Sequence, residues 1–380
     1  MKIAYIAIKG LPMSGGIEKY TDDIASILAA RGHEIVVYTS KHYGNKTSNY
    51  HGYKIKTIPS WRIKSLEKIT LVFHASLNQM FHKYDIVHYH ALGPSIFAFM
   101  ARMTRKKVVI QSHGIEYKRA KWGKLASFSL RTMEKLSYNQ GHELTVVSKT
   151  LQKHFYDSYK KESVYIPTAV ELPQEKECDL SAFSAFGLKE NDYYLFLARI
   201  VKEKGLHYLI PAFKQAKLNR KLVIAGKIDK NDSYHKELLD LAKDCDNIIF
   251  IGEVLADNKD NLFRGAYAFV QPSELEGLSV ALLEAMSYKK CCIVSDIPEN
   301  LEACSGHCIP FKTQDISSLK DALIVADSDE TQVNNLGLAA FDYIKEHHQL
   351  DKIVDQIEEM YKNVLTKKRK NKRRKKHEVQ

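Results

Sequence analysis

Long apolar runs are missing from this chain. No stretch approaches the ~20 apolar residues a membrane-crossing helix needs, so no spanning helix is expected. Cysteines are few and unevenly placed: none of the six precedes Cys178, and two are the neighbours Cys291 and Cys292. That is no disulfide framework, and a reducing cytoplasm is the expected compartment. The string Cys304-Ser305-Gly306-His307-Cys308 lacks a second ligand pair, so no zinc site is expected there. The chain opens on Lys2–Ile8, which reads as a strand and not as a signal peptide. Glycines are too sparse where a dinucleotide enzyme would need them. The first turn offers Gly10 and the pair Gly15-Gly16, not the spaced fingerprint with an acid on the next strand. A phosphate loop ending in Lys-Ser or Lys-Thr is absent too.

What is present is a globular composition, 44% hydrophobic over 380 residues. That length exceeds one ordinary core and predicts two domains. The formal net charge of +12 sits largely in one place, because Lys367–Lys376 reads KKRKNKRRKK. Without those nine bases the remainder carries only +3. The tail is therefore expected to be a separate, disordered appendage. Such a block suits nucleic acid, an anionic membrane leaflet, or simple solubilisation.

Strand and helix patterns alternate along the chain. Lys2–Ile8 is a strand, and Ile17–Arg31 is helical with a stop at Gly32. Strands follow at Glu34–Tyr38, Asp85–His90, Lys107–Ser112 and Leu144–Val147, with helices at Pro94–Arg102 and Leu125–Tyr138. After Val164–Pro167 the segment Glu171–Asp192 is polar and irregular, a hinge. The alternation restarts at Tyr193–Ala198 and continues through Lys221–Gly226, Asn247–Ile251, Ala266–Val270 and Cys291–Ser295. Two Rossmann-like α/β domains in tandem are predicted, with a cleft between them. The final helix, Leu350–Leu365, carries an apolar stripe through Ile353, Ile357, Met360, Tyr361 and Val364. The boundaries expected are 1–168, a linker 169–192, 193–345, a helix 346–366 and the tail 367–380. Asp327-Ser328-Asp329 spells a metal-binding D-x-D pattern but reads as a polar loop.

Three groups of residues carry chemistry. Pro272–Ser279 breaks after a buried-type strand, offers Glu274, Glu276 and Gly277, and enters an apolar helix holding Glu284. Glu276 and Glu284 are eight apart, which puts one on the loop and the other two turns into the helix. Arg199 ends the first strand of the second half, and Lys204-Gly205 follows after four residues. These bases can clamp a diphosphate without a metal, or form a solvated loop pair. Gly15-Gly16 opens a helix and can hold an anion on free N–H groups, or simply make a tight turn.

Taken together, Gly15-Gly16-Ile17-Glu18, His113-Gly114-Ile115-Glu116, Arg199 with Lys204-Gly205, and Glu276 with Glu284 resemble the retaining glycosyltransferases of family 4. The last pair matches that family's E-x7-E signature. The resemblance spans nearly the whole chain and implies the GT-B fold: two doubly wound domains facing across a cleft, the C-terminal helix packed back on the first. It implies roles as well. Arg199 and Lys204 would hold the donor diphosphate, aided by backbone N–H groups of Gly277, Leu278 and Ser279. Gly15 and Gly16 would close on the phosphates, Glu276 would bind sugar hydroxyls, and Glu284 the ribose. His113 would approach the donor sugar and stabilise developing charge. No metal or other cofactor is implied. One departure is Thr168-Ala169 after Ile166-Pro167, where the family often has Asn-Gly.

The segment His113–Trp122 resembles a subset of bacterial polysaccharide enzymes, some of them rhamnosyltransferases using dTDP-rhamnose. Its bases Lys118, Arg119, Lys121 and nearby Lys124, with Trp122, also suit a membrane surface. With the basic tail, at ~1 kcal/mol per base near anionic lipid, they favour a lipid-linked acceptor at the inner membrane face. The expectation is a cytoplasmic, peripheral glycosyltransferase of cell-surface glycan assembly, without nucleic-acid binding. The competing readings are a sugar-nucleotide 2-epimerase, an idle nucleotide-sugar-binding module and a nucleic-acid-binding protein.

Overall fold

The computed structural model describes residues 1–12, 15–43, 49–63, 66–115, 117, 123–254 and 256–367. Seven strands build the first sheet: β1 (Lys2–Ile6), β2 (Glu34–Ser40), β3 (Lys54–Ile58), β4 (Ile86–Tyr89), β5 (Lys107–Ser112), β6 (Glu143–Val146) and β7 (Val164–Tyr165). They run parallel in the order β3-β2-β1-β4-β5-β6-β7. Strand order reverses between β1 and β4, where Ile3 pairs with Ile86. Ligands of open α/β sheets bind beyond the carboxyl ends of strands at such a switch point. The covering helices are α1 (Gly16–Ala30), α2 (Glu67–Met80), α3 (Phe99–Met103), α4 (Lys124–Tyr138) and α5 (Lys149–Tyr159).

The second sheet holds β8 (Tyr193–Leu197), β9 (Lys221–Ala225), β10 (Ile248–Gly252), β11 (Ala268–Gln271), β12 (Cys291–Ser295) and β13 (Ile309–Phe311). Its order, β10-β9-β8-β11-β12-β13, is also parallel and reverses between β8 and β11. Strands covered on both faces read as continuous apolar runs. Tyr193, Tyr194, Leu195 and Phe196 of β8 are accordingly all buried. Around this sheet lie α6 (Leu206–Ala216), α7 (Ser233–Ala242), α8 (Ala256–Gly265), α9 (Val280–Ser287), α10 (Pro298–Cys304), α11 (Ile316–Ser328) and α12 (Glu330–His347).

The last helix, α13 (Leu350–Thr366), returns to the first domain. Its apolar stripe of Ile353, Ile357, Met360, Tyr361 and Val364 is buried against Ile3, Tyr5, Ile24 and Leu28. Arg31, which ends α1, reaches over it to Asp355 at 2.6 Å and Glu358 at 3.3 Å. The outgoing chain is tied to the returning one where Val170 N–H donates to the His348 carbonyl at 2.9 Å. On another flank Glu302 of α10 caps α5 across the domains, accepting from Thr150 N–H at 2.9 Å and Thr150 Oγ1 at 2.7 Å. A carboxylate there meets the positive end of the helix dipole.

Two features depart from the periodicity reading. β3 and α2 fill a stretch where no element is expected; β3 is an edge strand reading Lys-Ile-Lys-Thr-Ile, its lysines blunting the pattern. Asp327-Ser328-Asp329 is a helix joint and not a loop. Asp329 caps α12 by accepting from Gln332 N–H at 2.8 Å, while Asp327 pairs with Arg220 at 2.6 Å.

Candidate functional site

The carboxyl edges of the two sheets face one another, and glycines set how closely. A Cβ at Gly277, on the loop after β11, would stand 1.7 Å from the carbonyl oxygen of His113. A Cβ at Gly114, whose φ is +152°, would meet Gly277 Cα at 3.3 Å. Gly16 lies opposite Val280 at the start of α9, where a Cβ would come within 3.2 Å of Cγ2. The His113-Gly114 turn of the first domain is therefore in backbone contact with the Glu276-Gly277 turn of the second.

In the second domain one turn fixes the other. Gly205 has φ +75°, and a Cβ on it would fall 1.9 Å from the Pro272 carbonyl oxygen. Glu274 N–H donates to the Glu203 carbonyl at 2.9 Å, closing the same junction. Lys204 Nζ thereby reaches Glu276 Oε1, which also accepts from Gln271 Nε2. Both members of the pair are largely buried, with side chains 15% and 10% exposed. Arg199, beyond the end of β8, is exposed and makes no ion pair with the described residues. Ser279 caps α9, its hydroxyl accepting from Leu282 N–H at 3.4 Å. The first backbone N–H groups of that helix have no intrahelical acceptor. Glu284, the fifth residue of α9, is buried and accepts from Lys259 Nζ of α8 at 2.7 Å. Across the cleft, burial opposes the charge on Lys19 of α1. Asp23 at 3.1 Å and the more distant charges of Glu284 and Glu171 outweigh that and raise its pKa.

The first domain answers with uncharged imidazoles. His113 stacks on His90 at 5.7 Å between ring centres, and His90 on His88 at 4.4 Å. Tyr20 meets the edge of His113 at 5.4 Å and accepts a hydrogen bond from Gln111 at 3.0 Å. At the inner end His88 Nδ1 lies 2.7 Å from the Tyr361 hydroxyl of α13. Burial pushes His88 and His113 down to about 3, and holds His90 well below the usual imidazole range too. His113 Nε2 is buried without a hydrogen-bond partner among the described residues. At neutral pH such a ring offers a hydrogen bond or a dipole, and no charge.

Apart from Arg199, the site residues expected from sequence thus fall into two clusters that meet at one junction. His113, Gly277, Leu278 and Ser279 stand at the interdomain contact, with Gly16 opposite Val280 and Gly15 capping α1. Lys204 and Glu276 form one ion pair, while Glu284 is bound to a different lysine. Lys259, Gln271, His88 and His90 had no motif to announce them. The alternation of His88 and His90 on one strand was the available signal, since period two places both on one face. Glu116 and the basic segment 118–122 lie outside the described residues, as do residues 368–380.

Two family models match the chain in tandem: Glycosyltransferase Family 4 over residues 14–173 and Glycosyl transferases group 1 over residues 182–343. N-acetyl-alpha-D-glucosaminyl L-malate synthase of Bacillus anthracis is 24% identical, over 95% of this chain and 97% of its own. UDP-Gal:alpha-D-GlcNAc-diphosphoundecaprenol alpha-1,3-galactosyltransferase of Escherichia coli is 26% identical, over 75% and 77%. HepE of Anabaena, solved in complex with UDP-glucose, superposes with a TM-score of 0.80 at 17% identity, covering 96% of this chain and 100% of its own. With both matched segments in order and a cleft between two parallel-sheet domains, the chain belongs to the family 4, group 1 glycosyltransferases of the GT-B fold.

Proposed function

We propose that the protein transfers a sugar, with retention at the anomeric carbon, from a nucleoside-diphosphate sugar to a lipid-linked glycan acceptor in cell-surface polysaccharide assembly. The observation that carries this reading is the junction of the two domains. A neutral histidine and a glycine turn meet an acid, a lysine and a helix N-terminus there. In the proposed reaction the bond from the anomeric carbon to the diphosphate oxygen breaks, and the acceptor oxygen bonds to the same face. The acceptor proton passes to the departing phosphate, so no side-chain base is needed. Arg199, Lys204 and the α9 N-terminus take up the charge that develops on the diphosphate, work a metal performs elsewhere. Gly15-Gly16 closes on the phosphates, and Glu276 binds sugar hydroxyls through the carboxylate oxygen that Lys204 leaves open. Glu284, oriented by Lys259, takes the ribose.

Two relatives support the donor and acceptor classes. HepE was solved with UDP-glucose, and the Escherichia coli enzyme is named for a UDP-galactose donor and a diphosphoundecaprenol acceptor. No helix among the described residues is long and apolar enough to cross a membrane. Contact with anionic lipid is accordingly assigned to the basic tail.

The test is a panel of UDP-glucose, UDP-galactose and dTDP-rhamnose, measured for protection against thermal unfolding and for acceptor-free hydrolysis, with Glu276→Ala as control. One of the three is expected to protect the protein and to be hydrolysed slowly, with both effects reduced in the variant. If none protects, the transferase reading fails. A product epimerised at C2 of the sugar would replace it with the epimerase.

A further inference from the structure

A second concavity lies at the carboxyl edge of the first sheet, outside the contacts described above. It is a cavity of about 520 Å³ lined by Lys9, His42, Tyr43, Arg62 and Glu67. That volume falls in the range of small-molecule sites, ~300–1,000 Å³.

Its polar groups are arranged, not scattered. His42 Nε2 lies 2.9 Å from the Ser60 carbonyl, so this nitrogen carries the proton. Nδ1 is then an acceptor, and Arg62 Nε donates to it at 3.2 Å. The ring serves as a strut. It leaves the outer guanidinium nitrogens of Arg62 without a carboxylate among the described residues, a fork that suits a phosphate or carboxylate. Glu67, the first residue of α2, is 95% buried. Its Oε2 accepts from Lys9 Nζ at 2.8 Å, but Oε1 is buried with no hydrogen-bond partner among the described residues. A carboxylate oxygen shut away from every donor is destabilising. It lacks a donor, and a sugar hydroxyl is one. Tyr43 adds an aromatic ring, with Lys9 Nζ 5.1 Å from its centre.

The cavity also adjoins the reaction centre. Lys9 N–H lies 3.4 Å from Glu18 Oε1, in the first turn of the helix that Gly15-Gly16 opens. Lys68, next to Glu67, lies close enough to His113 and His90 for its charge to act on both.

We propose that this cavity is the acceptor subsite and that it takes an anionic sugar: Arg62 grips the phosphate or carboxylate, while Glu67 Oε1 accepts from a sugar hydroxyl. The inference rests on the transferase reading and adds the acceptor's chemical class to it. Either a glycosyl phosphate or a uronic acid supplies that chemistry.

The experiment is ligand-observed NMR on the full chain with UDP present to fill the donor site. The probes are glucose 1-phosphate, methyl glucuronide, methyl glucoside and inorganic phosphate. At least one anionic sugar is expected to bind more tightly than both methyl glucoside and inorganic phosphate. Arg62→Ala, a change at an exposed side chain, should weaken it at least about tenfold. Glu67→Gln should reduce its affinity to that of inorganic phosphate. Glucose 1-phosphate as the better probe identifies a phosphate-linked acceptor, and the glucuronide an acidic sugar. Equal binding to wild type and Arg62→Ala, no anionic sugar exceeding phosphate, or no saturable binding of either sugar overturns the proposal. Failure of both UDP and dTDP to bind would instead remove the transferase reading, so the two failures are separable.

Discussion

The two domains share one architecture and bring opposite materials to the cleft. The second contributes charge that is already engaged: Lys204 holds Glu276, and Lys259 holds Glu284. The first contributes closeness and neutrality, through Gly16, Gly114 and a column of uncharged histidines ending at His113. Stabilising a leaving diphosphate calls for fixed positive groups. Holding a sugar against an acceptor calls for a tight, low-dielectric wall. Dividing these tasks between two rigid bodies means that the full environment exists only where they touch.

The largest expected effect comes from the charged half. Removing Lys204 as Lys204→Ala should lower kcat by about 10²–10³-fold, as loss of one transition-state donor does elsewhere. It also strands the buried Glu276 carboxylate, so Lys204→Arg is the informative partner. Partial recovery in that variant would show that charge, and not packing, is responsible.

The next effect probes closeness. Gly277→Ala puts a methyl group where the His113 carbonyl oxygen stands, 1.7 Å from the ideal Cβ position. The domains must separate by about an ångström or more, and kcat/KM should fall on the order of 100-fold. Nucleotide affinity should change much less, since the charged groups of the diphosphate grip, Arg199 and Lys204, lie within the second domain. Equal losses in both would erase the proposed division of labour.

Neutrality has its own signature in stability. The folded-state pKa of His88 is pushed down to about 3, and that of His90 is well below its ordinary value. The unfolded chain therefore binds protons below pH ~6.5 while the folded one does not. Stability should be level above that pH. As pH falls from 6.5 towards 3 it should drop by about 1.4 kcal/mol per unit for each buried histidine. Denaturant unfolding at pH 7.0 and at lower pH, with His88→Phe as comparison, measures the slope. A flat profile would contradict the uncharged column.

The smallest effect concerns the joint that holds the domains. Glu302→Gln weakens the cap that α10 places on α5 and should cost about 0.3–1 kcal/mol. A modest loss of melting temperature with unchanged nucleotide binding is expected.

Much of this layout is legible in the residues themselves. Alternating apolar runs and helical stripes announce two parallel sheets, and Ile353, Ile357, Met360, Tyr361 and Val364 show that the last helix has one face to bury. β3 and α2 are not legible, because an edge strand carrying Lys54 and Lys56 loses the apolar run that marks buried strands. At the site, residues tied to a turn could be picked out: Gly277 and Gly205 stand where no side chain fits. Partners supplied by a remote helix could not. Lys259 is 25 positions from Glu284, and nothing in its surroundings marks it until α8 and α9 pack together. The orphan oxygen of Glu67 is likewise a property of three-dimensional surroundings, invisible in a helical sequence.

The central claim is that side-chain cations of the second domain, and not a metal, hold the donor's diphosphate. Calorimetric titration of UDP in EDTA, for wild type and for Arg199→Ala with Lys204→Ala combined, tests it directly. The account predicts metal-free binding to wild type and at least about a 100-fold loss in the double variant, the size expected for two charge-assisted contacts. Binding that requires an added divalent cation, or that survives loss of both bases, would contradict it.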